Sequence, residues 1–112
     1  PAVKGVEFGM GFNITKIRGS KSNDVPYMVN GDVLTKTNNN GGINGGISNG
    51  MPIIFRVAIK PTPSIAKTQN TIDMAAGVNS EVSIKGRHDP CIVLRALPVI
   101  EACAAMSILD FI

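Results

Sequence analysis

Aromatic side chains are scarce in this chain of 112 residues: there is no tryptophan, one tyrosine and four phenylalanines. Proteins that hold single strands of nucleic acid stack bases on aromatic platforms along a basic groove. None of these aromatics interleaves with a basic cluster. The net charge of +3 is explained as well by a basic site for a phosphate or carboxylate, and the composition argues against a nucleic-acid partner. Histidine occurs once and cysteine twice, at Cys91 and Cys103, with no CxxC spacing. That excludes the usual metal sets, and one histidine gives no basis for a Ser-His-Asp site. The two thiols read as reduced and half-buried in a cytoplasmic protein. No charged-then-apolar leader opens the chain, and Glu101 and Asp110 interrupt the apolar C-terminal segment, so no membrane span is expected. Charged residues make up only 17% against 44% hydrophobic, below the usual quarter. Such a surface is expected to be covered, by a partner subunit or by further parts of the same chain. The length suits one domain. A start at Pro1 without methionine and a stop inside an apolar run at Ile112 lead us to expect a piece of a longer protein.

Glycine, by contrast, is concentrated. Five of the ten residues from 41 to 50 are glycine, preceded by Asn38-Asn39-Asn40. Each would cost a helix or strand about 0.5–1 kcal/mol relative to alanine. A chain carries that cost where the backbone needs positive φ or where a ligand approaches closely. No Lys-Ser/Thr follows at Walker A spacing and no helix opens as in a dinucleotide fingerprint. A flexible hairpin tip is the equally weighted plain reading.

The clearest strand follows at 53–60, with Ile53, Phe55, Val57 and Ile59 on one face and Ile54, Arg56, Ala58 and Lys60 on the other. It ends in Lys60-Pro61-Thr62-Pro63-Ser64. A lysine charge, two hydroxyls and free backbone N–H groups in a proline-stiffened turn can bind a phosphate. The alternative is a proline turn with a solvated lysine. A strand near 3–8 is weakened by glycines, with Gly9 and Gly11 marking a bulge or a close approach. Residues 13–24 read as a basic polar connection. Asn30-Gly31 predicts a hairpin turn within 25–36. A further strand is expected at 81–85, with Gly77 and Asn79 as turn signals before it, and a buried helix near 96–111. Pro98 is tolerable in the first turn of that helix. Between strand and helix lies Gly86-Arg87-His88-Asp89-Pro90. It carries a fixed cation and a carboxylate at a junction where sites often form, or else Asp89 caps the helix with Pro90 at its first position.

Four blocks in register carry a family resemblance: Val3-Lys4-Gly5-Val6-Glu7-Phe8-Gly9, residues 40–50, Lys60-Pro61-Thr62-Pro63-Ser64-Ile65 and Gly86-Arg87-His88-Asp89-Pro90-Cys91. In that order and spacing the whole chain resembles the C-terminal portion of chorismate synthase. The resemblance implies an α/β, α+β-like fold of sheet-and-helix layers, with residues 1–112 a single C-terminal fragment of the family's domain. It implies a homotetramer, reduced FMN as cofactor and 5-enolpyruvylshikimate 3-phosphate as substrate. The product is chorismate, formed by 1,4-elimination of phosphate in the shikimate pathway. Carried onto matching positions, it implies that Pro1, Ala2, Gly45, Lys60, Pro61, Thr62, Pro63, Ser64 and Arg87 hold the flavin. It also implies that Asp89 is the catalytic carboxylate beside flavin N5. The family's catalytic histidines and substrate-binding arginines fall outside the matched portion, and His88 is not one of them. The isolated fragment is therefore expected to be inactive. The other reading is a structural or assembly piece that binds no ligand alone.

Overall fold

Alternating side chains make strands of Val3–Phe8 (β1) and Phe55–Ile59 (β6), and these pair antiparallel in the computed structural model, which describes residues 1–112. Phe8 faces Phe55 and Val6 faces Val57, with the two rings 5.9 Å apart. Glu7 faces Arg56 and Gly5 faces Ala58 on the other side. The register slips between Val3 and Gly5, so Lys4 is the extra residue of a β-bulge. The bulge thus lies at Lys4, while Gly9 and Gly11 mark close approaches, to the Asn39 backbone and to the Glu7 side chain.

This ribbon belongs to the first of two units, Pro1–Lys60. After β1 come a 3-10 turn over Gly11–Lys16 and a single helical turn, Gly19–Ser22 (α1). Two hairpins follow. Pro26–Val29 (β2) pairs with Asp32–Thr35 (β3) through the expected Asn30-Gly31 turn, at φ 52° and 95°. Ile43–Asn44 (β4) pairs with Ile47–Ser48 (β5) through Gly45-Gly46, at φ 58° and 83°. Both are two-residue loops with positive φ at each central position, the twist that suits a right-handed ribbon.

The second unit, Pro61–Ile112, holds Gln69–Asp73 (β7) paired with Val78–Val82 (β8), then the helix Val93–Leu109 (α2). The strand expected at 81–85 therefore lies three residues earlier. The reason is the turn. Asp73 Oδ1 accepts the amides of Ala75 and Ala76 at 2.9 and 3.0 Å, and Gly77 closes it at φ 67°. This fixes Asp73 opposite Val78, so Asn79 pairs with Ile72 in the ladder instead of marking a turn.

Helix α2 also begins earlier than expected and ends two residues sooner. Its N-cap is Ile92, with no side-chain cap, and the Ile92 carbonyl accepts from Arg95 and Ala96. Asp89 and Pro90 are therefore not its cap. Pro98 stands at the sixth helical position, past the first turn, and deprives the Leu94 carbonyl of its intrahelical donor. Burial was expected of this helix, yet none of its residues is buried, and Leu94 is 81% exposed.

No apolar side chain anywhere in the chain is buried, and the accessible surface is 9167 Å². A compact monomer of 11.8 kDa exposes about 5,900 Å², and two separate compact units of these sizes about 7,100 Å². The surplus of roughly 2,000 Å² or more is the size of a permanent protein interface. Four ribbons, each of only two strands, and one long helix, α2, make an α+β chain whose apolar side chains all stay at least partly exposed. None of its helices is long and apolar enough to cross a membrane.

Candidate functional site

The glycine loop is set in place by a residue the sequence reading assigned to a polar connection. Asp24 is 7% exposed. Its Oδ1 accepts from the Thr37 hydroxyl at 2.6 Å and the Asn39 amide at 2.8 Å, and its Oδ2 accepts from the Asn40 amide at 2.8 Å. Asn39 Nδ2 donates to the Ser22 carbonyl, and the Thr35 hydroxyl to the Thr37 carbonyl. Burial alone would raise the Asp24 pKa, but the bonds from Thr37, Asn40 and Asn39 outweigh it and hold the carboxyl below its ordinary 3.8. A depressed folded-state pKa means the stabilisation is complete above the unfolded value and is lost as pH falls through the folded one. The full-length protein should thus show a flat urea midpoint above about pH 5 that drops below about pH 4. Asp24→Asn should flatten part of that drop, and an unchanged acid limb in the variant would remove Asp24 as its source.

The glycines divide into two kinds. A Cβ on Gly9 would collide with the carbonyl of Asn39 and the amide of Gly41, and one on Gly42 would lie 2.6 Å from the Pro52 carbonyl oxygen. These residues pack backbone on backbone. At the hairpin tip, Gly45 and Gly46 have nothing within 4 Å of a built Cβ. Their requirement within this chain is positive φ alone, and the space above them is open to a ligand. Asn44 Oδ1 ties the hairpin by accepting from Asn40 Nδ2 at 3.0 Å and Asn49 Nδ2 at 3.4 Å.

Of the two cations on the outward face of β6, only one is free. Arg56 Nε donates to Glu7 Oε1 at 2.8 Å and its Nη2 to the Gly9 carbonyl at 3.1 Å. The Phe12 amide donates to Glu7 Oε2. That bond, and the nearby Arg56 charge, keep the Glu7 pKa below its ordinary value against a smaller opposing effect of burial. This cluster fastens the 3-10 turn to β1. Lys60 is exposed and makes no ion pair. Its amide donates to the Ala2 carbonyl at 2.8 Å, which places Pro1, Ala2 and Lys60 together at one end of the β1–β6 ribbon. The glycine loop is anchored at the other end, where the Ile54 amide donates to the Gly41 carbonyl. Six residue steps, from Ile54 to Lys60, put about 20 Å between these two anchor points.

In the second unit, Thr62 Oγ1 is enclosed and has no hydrogen-bond partner, while the Pro63 carbonyl accepts from Gln69 Nε2. Arg87, His88 and Asp89 are all exposed, on a segment without regular structure. Asp89 Oδ2 pairs with Arg95 at 2.9 Å, its side chain 45% exposed. The partner of Asp89 is thus a side chain of the helix rather than the helix amides. A concavity on the β7–β8 ribbon, lined by Asn70, Thr71, Ile72, Asn79, Ser80 and Glu81, includes none of the expected site residues.

Comparison with known proteins agrees over the whole chain. The profile of the family described as chorismate synthase matches residues 1–112. Chorismate synthase of Archaeoglobus fulgidus is 56% identical over 110 residues, covering 98% of this chain. That of Korarchaeum cryptofilum is 54% identical over 112 residues, covering all of it, and that of Pyrococcus abyssi 55% over 111, covering 98%. This chain spans about 31% of the length of each. A crystal structure of chorismate synthase superposes with a TM-score of 0.53 at 47% identity, covering 56% of this chain and 19% of the other.

Proposed function

The chain belongs to the chorismate synthase family, and from that premise we propose that it forms the flavin-side wall of an enzyme converting 5-enolpyruvylshikimate 3-phosphate to chorismate and phosphate. The observation that carries the reading is the match over residues 1–112, which includes the glycine hairpin, the Lys60–Ser64 turn and the Arg87–Asp89 segment. Reduced FMN, when bound, supplies transient electron density to the substrate as phosphate leaves, with no net redox change.

The residues present fit such a cofactor. Open space over Gly45 admits a planar ring against backbone. Lys60 is an unpaired cation, and the enclosed Thr62 hydroxyl lacks an acceptor that a phosphate oxygen would provide. Pro1 and Ala2 lie beside Lys60, and the family resemblance adds Pro61, Pro63, Ser64 and Arg87 to the flavin contacts. Asp89 moves a proton at flavin N5. Residues 1–112 are the C-terminal portion of a cytoplasmic homotetramer, whose remaining length supplies the groups that bind and protonate the substrate. Incubating the full-length protein with reduced FMN and 5-enolpyruvylshikimate 3-phosphate should yield chorismate and inorganic phosphate in equal amounts. Phosphate release without chorismate, or neither product, overturns the assignment.

Lys60→Ala in the full-length protein should weaken FMN about tenfold, the loss of one partly solvated charge-assisted bond. Unchanged affinity by fluorescence titration would make Lys60 a solvated strand end. The absence of any buried apolar side chain favours a second reading for residues 1–112 taken alone, that they bind no ligand. Quenching of FMN fluorescence by the isolated segment would refute it.

A further inference from the structure

Asp24 is the most enclosed carboxylate of the chain, at 7% exposure, and it is not among the residues proposed to touch the flavin. Its three acceptor bonds all go to one stretch: the Thr37 hydroxyl and the Asn39 and Asn40 amides. From that stretch the bonds continue outward. Asn40 Nδ2 donates to Asn44 Oδ1, which also receives Asn49 Nδ2, and the Asn49 amide donates to the Gly42 carbonyl. The same stretch is tied back to the ribbon, since the Met10 amide donates to the Asn39 carbonyl at 2.8 Å. The side-chain hydrogen bonds to the hairpin 43–48 come from Asn40 and Asn49 alone. A Cβ added at its tip, on Gly45 or Gly46, would meet nothing within 4 Å, so the tip's position depends on how its base is held.

We propose that Asp24 is the positioning residue of the flavin-side hairpin: its carboxylate fixes residues 37–40, and through the Asn40–Asn44–Asn49 bonds it sets how the Gly45 backbone is presented to the cofactor. This rests on the reading of Gly45 as a flavin-contacting residue. The chemistry requires a carboxylate. Each oxygen faces donors only, two at Oδ1 and one at Oδ2. Asparagine keeps two of the three bonds at best, because its Nδ2 is itself a donor. The orientation that loses least turns that nitrogen toward the Asn40 amide. Asp24→Asn therefore releases the leg that leads to the hairpin and spares the other two.

The test uses the full-length protein, read by amide hydrogen exchange without cofactor and by fluorescence titration with FMN. Asp24→Asn should speed exchange at residues 42–49 and raise the FMN Kd about tenfold. Asn40→Ala, which leaves the amide bond to Asp24 intact and removes only the Asn40 Nδ2 link, should show the same pattern more weakly, and serves if Asp24→Asn does not accumulate. Gly31→Ala, strained at φ 95° in the unrelated β2–β3 turn, should lower the melting temperature with neither effect. Unchanged exchange at 42–49 in Asp24→Asn overturns the proposal. So does faster exchange with an unaltered Kd, since a purely structural Asp24 gives that result. A wild-type protein that takes no FMN, while exchange at 42–49 still depends on Asp24, overturns the flavin reading and leaves the hold on the hairpin standing.

Discussion

Alanine at position 41 should lower the melting temperature of the full-length protein far more than alanine at position 45. Gly41 has φ 67°, and a Cβ there would lie 2.5 Å from the Gly9 amide nitrogen and 2.6 Å from the Ile54 carbonyl oxygen. Neither is the movable end of a side chain. Gly9 donates to the Ile54 carbonyl at 2.9 Å and Ile54 donates to the Gly41 carbonyl at 3.1 Å. Making room means breaking the bonds that join the loop to the β1–β6 ribbon. The cost is about 4 kcal/mol or more, the range reserved for backbone strain combined with lost hydrogen bonds. That is a large share of a typical total of about 5–15 kcal/mol. Gly45→Ala meets open space and costs only the left-handed conformation, about 1–2 kcal/mol. Thermal melts of the two variants should therefore differ widely. Equal melting temperatures would show that the loop shifts freely and that the collision is not decisive.

The second large effect falls on rate. Asp89→Asn in the full-length enzyme should lower turnover about 100-fold or more, the usual contribution of a positioned proton-transfer group. FMN affinity should hold. The structure supplies the control that separates chemistry from packing. Asp89 pairs with Arg95 at 2.9 Å, but both are well exposed, and such pairs contribute about 0–1 kcal/mol. Arg95→Ala removes the same pair and should leave turnover within about threefold of wild type, for a loss below 1 kcal/mol. If Arg95→Ala and Asp89→Asn were equally slow, the ion pair would account for the effect. Full activity of Asp89→Asn would end the proton-transfer role.

The parts of this fold legible in the sequence are those whose signals are local. Alternation marked β1 and β6, and Asn30-Gly31 announced its hairpin. β7 carries no strand signal and β8 lies three residues before the expected 81–85, because these strands, Gln-Asn-Thr-Ile-Asp and Val-Asn-Ser-Glu-Val, are too polar to show a face. Their register comes from the Asp73 turn. Pro98 argues for a first-turn position and so for a later start of α2, yet the helix runs through it. Asp24 was invisible for another reason. Its donors lie thirteen to sixteen residues away in sequence, and no periodicity links a carboxylate to amides at that distance. An aspartate followed at once by Val25 and Pro26, leaving the polar run for an apolar one, was the one available hint. The proposed flavin residues come from block spacing. Composition alone left the glycine loop and the proline turn at even odds with plain connections.

Each of the four ribbons has two strands, so every strand in the chain keeps one backbone edge unpaired. A lone two-stranded hairpin is marginal in water, and open edges invite other chains to pair with them. That has a cellular consequence. Were these residues released by proteolysis, or made from a damaged message, they would not circulate as an inert by-product. Exposed strands that follow Ile53 and Ile54 or contain Val78 and Val82, all at the surface, would recruit chaperones or coalesce with like segments. Quality control, more than catalysis, would set their lifetime.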